Sequence, residues 1–193
     1  MGGTGERFDG GRLCLNLVAG WAGRAAEERL GSEERLITWL YGTGLVPADT
    51  AIRTESVWLT HFTALRDLLE RVMSALLDRR PVPTADLALL NAAALAAPPA
   101  PCAVVQEGAL TRALAAPPDC ASLLGAVARD AVELLTDPVA RTQLRRCEGE
   151  NCALIYLDTS RGRRRRWCSS EVCGNRERVA RHRRRSTLTT TQS

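Results

Sequence analysis

The chain has 193 residues, 45% hydrophobic and 25% charged, enough apolar side chain for a real core in a soluble globular fold. Two Phe, two Tyr and four Trp argue against a nucleic-acid binder built on rows of stacking rings. The longest uncharged apolar stretch, Leu87 to Val105, is broken by Asn91, Pro98, Pro99 and Pro101, so no membrane span is expected. The N-terminus lacks a basic n-region and a clean apolar run, so no signal peptide is expected and the cytoplasm is the expected compartment.

In chain order, Phe8 to Val18, with Gly10-Gly11 and alternating Leu13, Leu15 and Leu17, predicts a short strand. Ser32-Glu33-Glu34 opens a helix whose apolar positions Leu36, Ile37, Leu40 and Tyr41 recur at helical spacing until Gly42 and Gly44. Thr54 is the expected cap of a longer helix carrying Val57, Trp58, Phe62, Leu65, Leu69, Val72, Leu76 and Leu77, closed by Pro81 and Pro83. Thr84 starts an Ala- and Leu-rich helix to Ala97, stopped by Pro98-Pro99. A hairpin follows, Ala103 to Val105 and Ala109 to Leu114 about the turn Glu107-Gly108, then a helix from Ser122 to Thr136. The predicted fold class is mainly α with a minor β component: a helical body over 1–138, a small module over 139–186 and a disordered polar tail over 187–193.

Charge is divided along the chain. Residues 1–140 hold 12 Arg against 17 acidic residues, whereas residues 141–193 hold 14 Arg against five. An acidic body with a basic C-terminal quarter points to a polyanion-binding appendage. That quarter also holds Cys147, Cys152, Cys168 and Cys173, two Cys-x4-Cys pairs separated by 15 residues. In a reducing compartment such a pattern reads as a metal site before a disulfide framework. Four thiolates suit one structural zinc ion, leaving no open position for catalysis; an iron–sulfur cluster or bare thiols are the alternatives. Between the pairs, Ala153 to Leu157 and Arg163 to Trp167 predict the two strands of a hairpin about the turn 158–162. An Arg-rich helix follows. Knuckle, hairpin and helix together would form a treble-clef-like finger.

The dense arginines Arg161, Arg163, Arg164, Arg165 and Arg166, with Arg176, Arg178, Arg181 and Arg185 beyond the second pair, are the candidate nucleic-acid contacts. Val172 and Val179, seven apart, are expected on the buried face of the helix, leaving Arg178, Arg181 and Arg185 outward. Trp167 is expected to pack beside the metal, Asp158 to make the turn or pair with Arg, and Asn175 to cap a helix. Residues 1–140 contain no His-Glu-x-x-His helix, phosphate-binding Gly-rich loop or nucleophile elbow, and His61 and His182 read as ordinary helical residues, so no enzymatic turnover is expected.

Cys173-Gly174-Asn175-Arg176, preceded by Arg165-Arg166-Trp167-Cys168-Ser169 and by Leu157-Asp158-Thr159-Ser160-Arg161, resembles the CGNR zinc finger. Upstream, Phe8-x-Gly10-Gly11-Arg12-Leu13, Trp39-Leu40 and Leu134-Leu135-Thr136-Asp137-Pro138 are similar to the ABATE domain that precedes that finger. The resemblance implies a bacterial stress-induced transcription regulator with a DNA-binding finger. This chain departs from the family pattern at Asn16-Leu17-Val18-Ala19-Gly20, where the family tends to have Asp, an aromatic, then Val-Asn-Thr. It also has Gly162 in place of Asn, another residue that tolerates a left-handed turn.

The leading expectation is therefore a regulator whose finger binds DNA and whose body forms a homodimer or receives a signal, the small-molecule effector being unknown. The alternative is a redox-sensing or interaction module whose finger contacts an acidic protein or RNA. Replacing Cys168 by Ser is expected to unfold the finger and leave the body intact. Changing Arg164 or Arg165 to Ala is expected to weaken binding to all DNA sequences alike.

Overall fold

The structure, a computed structural model, describes residues 11–19, 31–150 and 152–190, with the backbone alone at 182 and 184–190. Helices α1 (Leu13–Ala19), α2 (Glu33–Gly42), α3 (Ser56–Leu77), α4 (Thr84–Ala94) and α5 (Cys120–Thr136) form the body, with a hairpin of β1 (Pro101–Gln106) and β2 (Ala109–Leu114) between the last two. A short α6 (Pro138–Gln143) leads into β3 (Leu144–Arg146) and β4 (Ile155–Leu157), then a π-helical turn over Ser170–Gly174 and α7 (Asn175–Thr190). Among the described residues no helix is long and apolar enough to cross a membrane.

The caps explain most boundaries. Ser32 accepts from the Arg35 N–H at the start of α2, and Asp119 accepts from the Ser122 N–H at 2.7 Å at the start of α5. Asp137 accepts from the Val139 and Ala140 N–H groups, with Pro138 in the first turn of α6. Thr54 does not cap α3: its hydroxyl reaches Glu33 on α2, and Glu55 stands at the helix start with no side-chain cap. The predicted run to Ala97 stops earlier, at Ala94, where the Arg129 guanidinium binds the Ala94 carbonyl. The chain then passes so close to α5 that a Cβ on Gly125 would strike the Ala96 carbonyl.

The segment read as a first strand is helix α1 where described; Phe8 to Gly10 lie outside the described residues. Cys14, Leu15, Leu17, Val18 and Ala19 are all buried, because α1 is packed against α3, α5 and β4. Its half-exposed side is short and holds an apolar residue, Leu13, beside Asn16, so seven residues show little 3.6-residue period and the alternating leucines imitate a strand. Asp130 on α5 accepts from the Cys14 N–H at 2.8 Å and pairs with Arg12, fixing the start of α1. The body core joins Leu15, Leu17, Leu36, Trp39, Phe62, Leu69, Met73, Leu123 and Leu134, with Trp39 edge-on to Phe62. The Trp39 indole donates to the Asn16 carbonyl, so the departure from the family pattern at Asn16 to Ala19 sits in a core helix.

β3 and β4 pair antiparallel, Leu144 opposite Leu157 and Arg146 opposite Ile155. This corrects the predicted hairpin. β4 takes its partner from upstream, before the first cysteine pair, and residues 163–167 form no strand. Leu144 and Ile155, 3% and 1% exposed, belong to the body core, and Arg146 pairs with Asp78 beyond α3 at 2.9 Å. Gly11, with φ +83°, brings the chain within van der Waals reach of Leu157. The small module is thus rooted in the body through its own sheet.

Candidate metal centre and its arginine rim

Cys147 leaves β3 and its N–H continues the ladder to the Leu154 carbonyl at 2.9 Å. The chain turns tightly between, with the Cys152 N–H on the Gly149 carbonyl. A side chain at Gly149 would crowd the site, since a Cβ would lie 3.1 Å from that of Cys173 and 3.3 Å from its sulfur. The Glu148 N–H ties this knuckle to the Arg166 carbonyl, and the second pair arrives on the π-helical turn, where Ser169 accepts from the Val172 N–H. The sulfurs of Cys147, Cys152, Cys168 and Cys173 lie within 4.8 Å of one another, Cys152 to Cys168 at 3.9 Å and Cys168 to Cys173 at 3.6 Å. A tetrahedral zinc with Zn–S bonds of about 2.3 Å sets its sulfurs about 3.8 Å apart, so the four residues fit the ion.

The electrostatics of the cluster agree. The Cys168 thiol, hydrogen-bonded to Cys152, brings the Cys152 thiol down to about 5, and the same bond pushes Cys168 far upward. Burial raises Cys173 to about 11. Four sulfurs this close cannot all ionise without a cation between them. The Gly149 and Cys168 N–H groups, each 3.4 Å from the Cys147 sulfur, are the donors that a ligating thiolate accepts. The four cysteines could hold one zinc ion, whose role with all four positions filled is a cross-link.

Around the metal lies a small second core. Tyr156 is fully buried and its hydroxyl donates to the Arg165 carbonyl at 2.7 Å, while the Arg165 guanidinium stands 4.8 Å over the Tyr156 ring. That guanidinium also donates to the carbonyls of Trp167 and Cys168. Asp158, equally buried, accepts from the Ser160 hydroxyl at 2.6 Å, the Ser160 N–H, and the Arg165 N–H at 2.9 Å. These bonds hold its carboxyl below the usual range, the Ser160 hydroxyl contributing most. Asp158 thus shapes the loop, its partner being the Arg165 backbone rather than a guanidinium.

A model described as "putative stress-induced transcription regulator", the ABATE domain, matches residues 11–138, and a CGNR zinc finger model matches residues 143–186. The chain belongs to the ABATE family and carries a CGNR zinc finger. A comparison with curated proteins gave no match. The motif that names the finger has a local explanation. Cys173 is a ligand, Gly174 lies buried beneath Trp167, and Asn175 accepts from Arg178 at 2.7 Å. Arg176 is half-buried at the first turn of α7.

The nine candidate arginines divide. Arg161, Arg163, Arg164 and Arg181 are exposed and, with half-buried Arg176, have no partner among the described residues. Arg165 is not on the rim; it is part of the core of the CGNR finger. Arg166 pairs with Glu148 at 2.6 Å and lies over the Trp167 ring. Arg178 is pinned to the Ser170 carbonyl and Asn175, and the side chain of Arg185 lies outside the described residues. Asn175 therefore serves as an acceptor for Arg178. Val172 and Val179 do not form a buried face: each is 50% exposed, because among the described residues α7 packs substantially against the π-helical turn alone. Trp167 does pack beside the metal, with Cys147, Tyr156 and Cys173. Tyr156 and the inward role of Arg165 were not visible in the sequence, where the one looked like a strand residue and the other like its neighbours in a charge run.

Proposed function

We propose that the protein is a transcription regulator that binds duplex DNA through the exposed arginines of its CGNR finger. One observation carries this reading: Arg161, Arg163 and Arg164 stand unpartnered on a loop locked from inside by Asp158, Arg165 and the metal ligands. A preorganised cationic loop loses little conformational freedom on meeting phosphates. The family description supports the regulatory part of the reading. Residues 1–138 are then the responding part, without catalytic turnover. In the apolar groove between α3 and α5, Cys120 lies 3.8 Å from His61, but burial raises its thiol to about 11, the wrong direction for a nucleophile.

Fluorescence anisotropy with a labelled duplex, titrated over a range of salt, tests the proposal. Five phosphate contacts would give a slope of log K against log salt of roughly −4.5. Zinc-loaded protein with no affinity at low salt, or with affinity independent of salt, would overturn it.

A further inference from the structure

The helix α7 begins two residues after the last metal ligand, yet it has little to hold it as a helix. Among the described residues no element beyond the π-helical turn packs substantially against it, and Val179 is half exposed. Asn175–Thr190 contains Glu177 as its single acidic residue against Arg176, Arg178, Arg181, Arg183, Arg184 and Arg185. It ends in Ser186-Thr187-Leu188-Thr189-Thr190, mostly weak helix formers. An isolated helix of roughly this length is marginal in water even with a favourable sequence, and like charges within one or two turns weaken it further.

The charge is also not on one face. At about 100° per residue, Arg176 and Arg183 fall on one side of the helix and Arg178 and Arg181 on the opposite side. An acidic protein surface would meet only one of those sides. A helix is about 10–12 Å across, and the major groove of duplex DNA, about 12 Å wide, is walled on both sides by phosphate.

Resting on the reading that the finger binds duplex DNA, we propose that α7 beyond Val179 is a helix that folds on DNA, lying in the major groove with arginines directed to both phosphate walls. The metal fixes its first turn, through Cys173 and the Asn175–Arg178–Ser170 bonds, and so sets its direction of entry. The phosphates neutralise the repulsion that opposes the rest.

Hydrogen–deuterium exchange on the full zinc-loaded chain tests this, with and without a mixed-sequence duplex at low salt. Amides over 179–190 should exchange nearly as fast as an unfolded chain when free, and at least about 100-fold more slowly when bound, with a gain in far-UV helical signal. Ala180→Pro should keep its zinc and still bind, with the salt slope flattened by about two as the Arg181 and Arg183 contacts are lost. Protection of 179–190 already present in the free chain would overturn the inference, as would binding without protection. Protection by a polyglutamate peptide but not by duplex would assign the helix to an acidic protein instead. No binding to duplex at all would sink the DNA reading itself, and the inference with it.

Discussion

Removing the metal should loosen the body as well as the finger. The two apolar residues that anchor the β3–β4 pair, Leu144 and Ile155, lie in the body core, and Leu157 packs against it. Burying one such aliphatic side chain is worth roughly 1.5–3 kcal/mol, so Leu144 and Ile155 together carry roughly 3–6 kcal/mol. The whole fold is held by about 5–15 kcal/mol. The strand pair is three residues long on each side, and its connection is closed by Cys147 and Cys152 on the metal. If chelation frees half of that burial, the loss is roughly 1.5–3 kcal/mol, a fall in the body's melting midpoint of about 3–12 °C for a chain of this size. Near-UV circular dichroism in a Trp167→Phe background, which leaves Trp21 and, in the body core, Trp39 and Trp58 as the tryptophans, follows that midpoint before and after a chelator and after zinc is returned. Cys168→Ser should reproduce the shift without a chelator. A body midpoint that stays within about 1 °C while the metal is lost would refute the coupling and restore the simpler expectation of an independent finger.

Arg164→Ala should leave zinc affinity unchanged and flatten the salt slope of DNA binding by about 0.9, read by anisotropy at several salt concentrations. Arg165→Ala should do the reverse of what its place in a charge run suggests: zinc affinity falls, on the order of 10–100-fold, as a partner of the ligand backbone is lost, measured by competition with a chromogenic chelator. Tyr156→Phe leaves the ring under Arg165 but unpairs the Arg165 carbonyl, and should lower finger stability by about 1–2 kcal/mol in denaturant melts. Zinc binding should tighten as pH rises. Without metal, Cys168 and Cys173 hold their protons through neutral pH while Cys152 does not, so binding displaces at least these two. Log affinity should climb by at least about two per pH unit between pH 6 and 8, and more steeply below pH 5, where Cys152 also protonates; a flat profile would contradict the assignment of protons.

The parts of the fold legible in the sequence are those with a strong local signal. Ser32 stands before a run of helical period and acts as a cap, whereas α6, opened by Asp137, was too short to show a period. The Glu107-Gly108 turn marked the hairpin in which β1 pairs with β2. The four cysteines were legible because a metal site is written as spacing. Helix α1 was not, since it is short and its half-exposed side carries the apolar Leu13 beside Asn16, which hides the period that distinguishes helix from strand. The strand pairing in the finger was misplaced for a different reason. Ile155 to Leu157 reads as a strand, but nothing local says that its partner is Leu144 to Arg146, which is chosen by Leu144 and Ile155 joining the body core. Arg165 looked like its neighbours because composition carries no direction, and only the Tyr156 ring beneath it and the Cys168 carbonyl beside it set it apart.

That distinction matters for the electrostatics of the finger. Four thiolates and a divalent ion leave a net charge of −2 on the centre, which has to be offset in a small, partly buried module. The guanidinium of Arg165, on the Cys168 carbonyl, brings positive charge to this centre, whereas Arg166 lies over Trp167 and has its own charge met by Glu148. Arg178 belongs with these two, since it closes the first turn of the helix that carries Cys173 away from the metal. These arginines therefore hold the finger together, and the charges of Arg165 and Arg166 are met within it. Among the described side chains, Arg161, Arg163 and Arg164 offer unmet charge to a partner on a loop locked from inside, and Arg176 and Arg181 add to it from α7. A count of basic residues overstates the number of contacts in such a module, because metal and partner draw on the same residue type for opposite purposes.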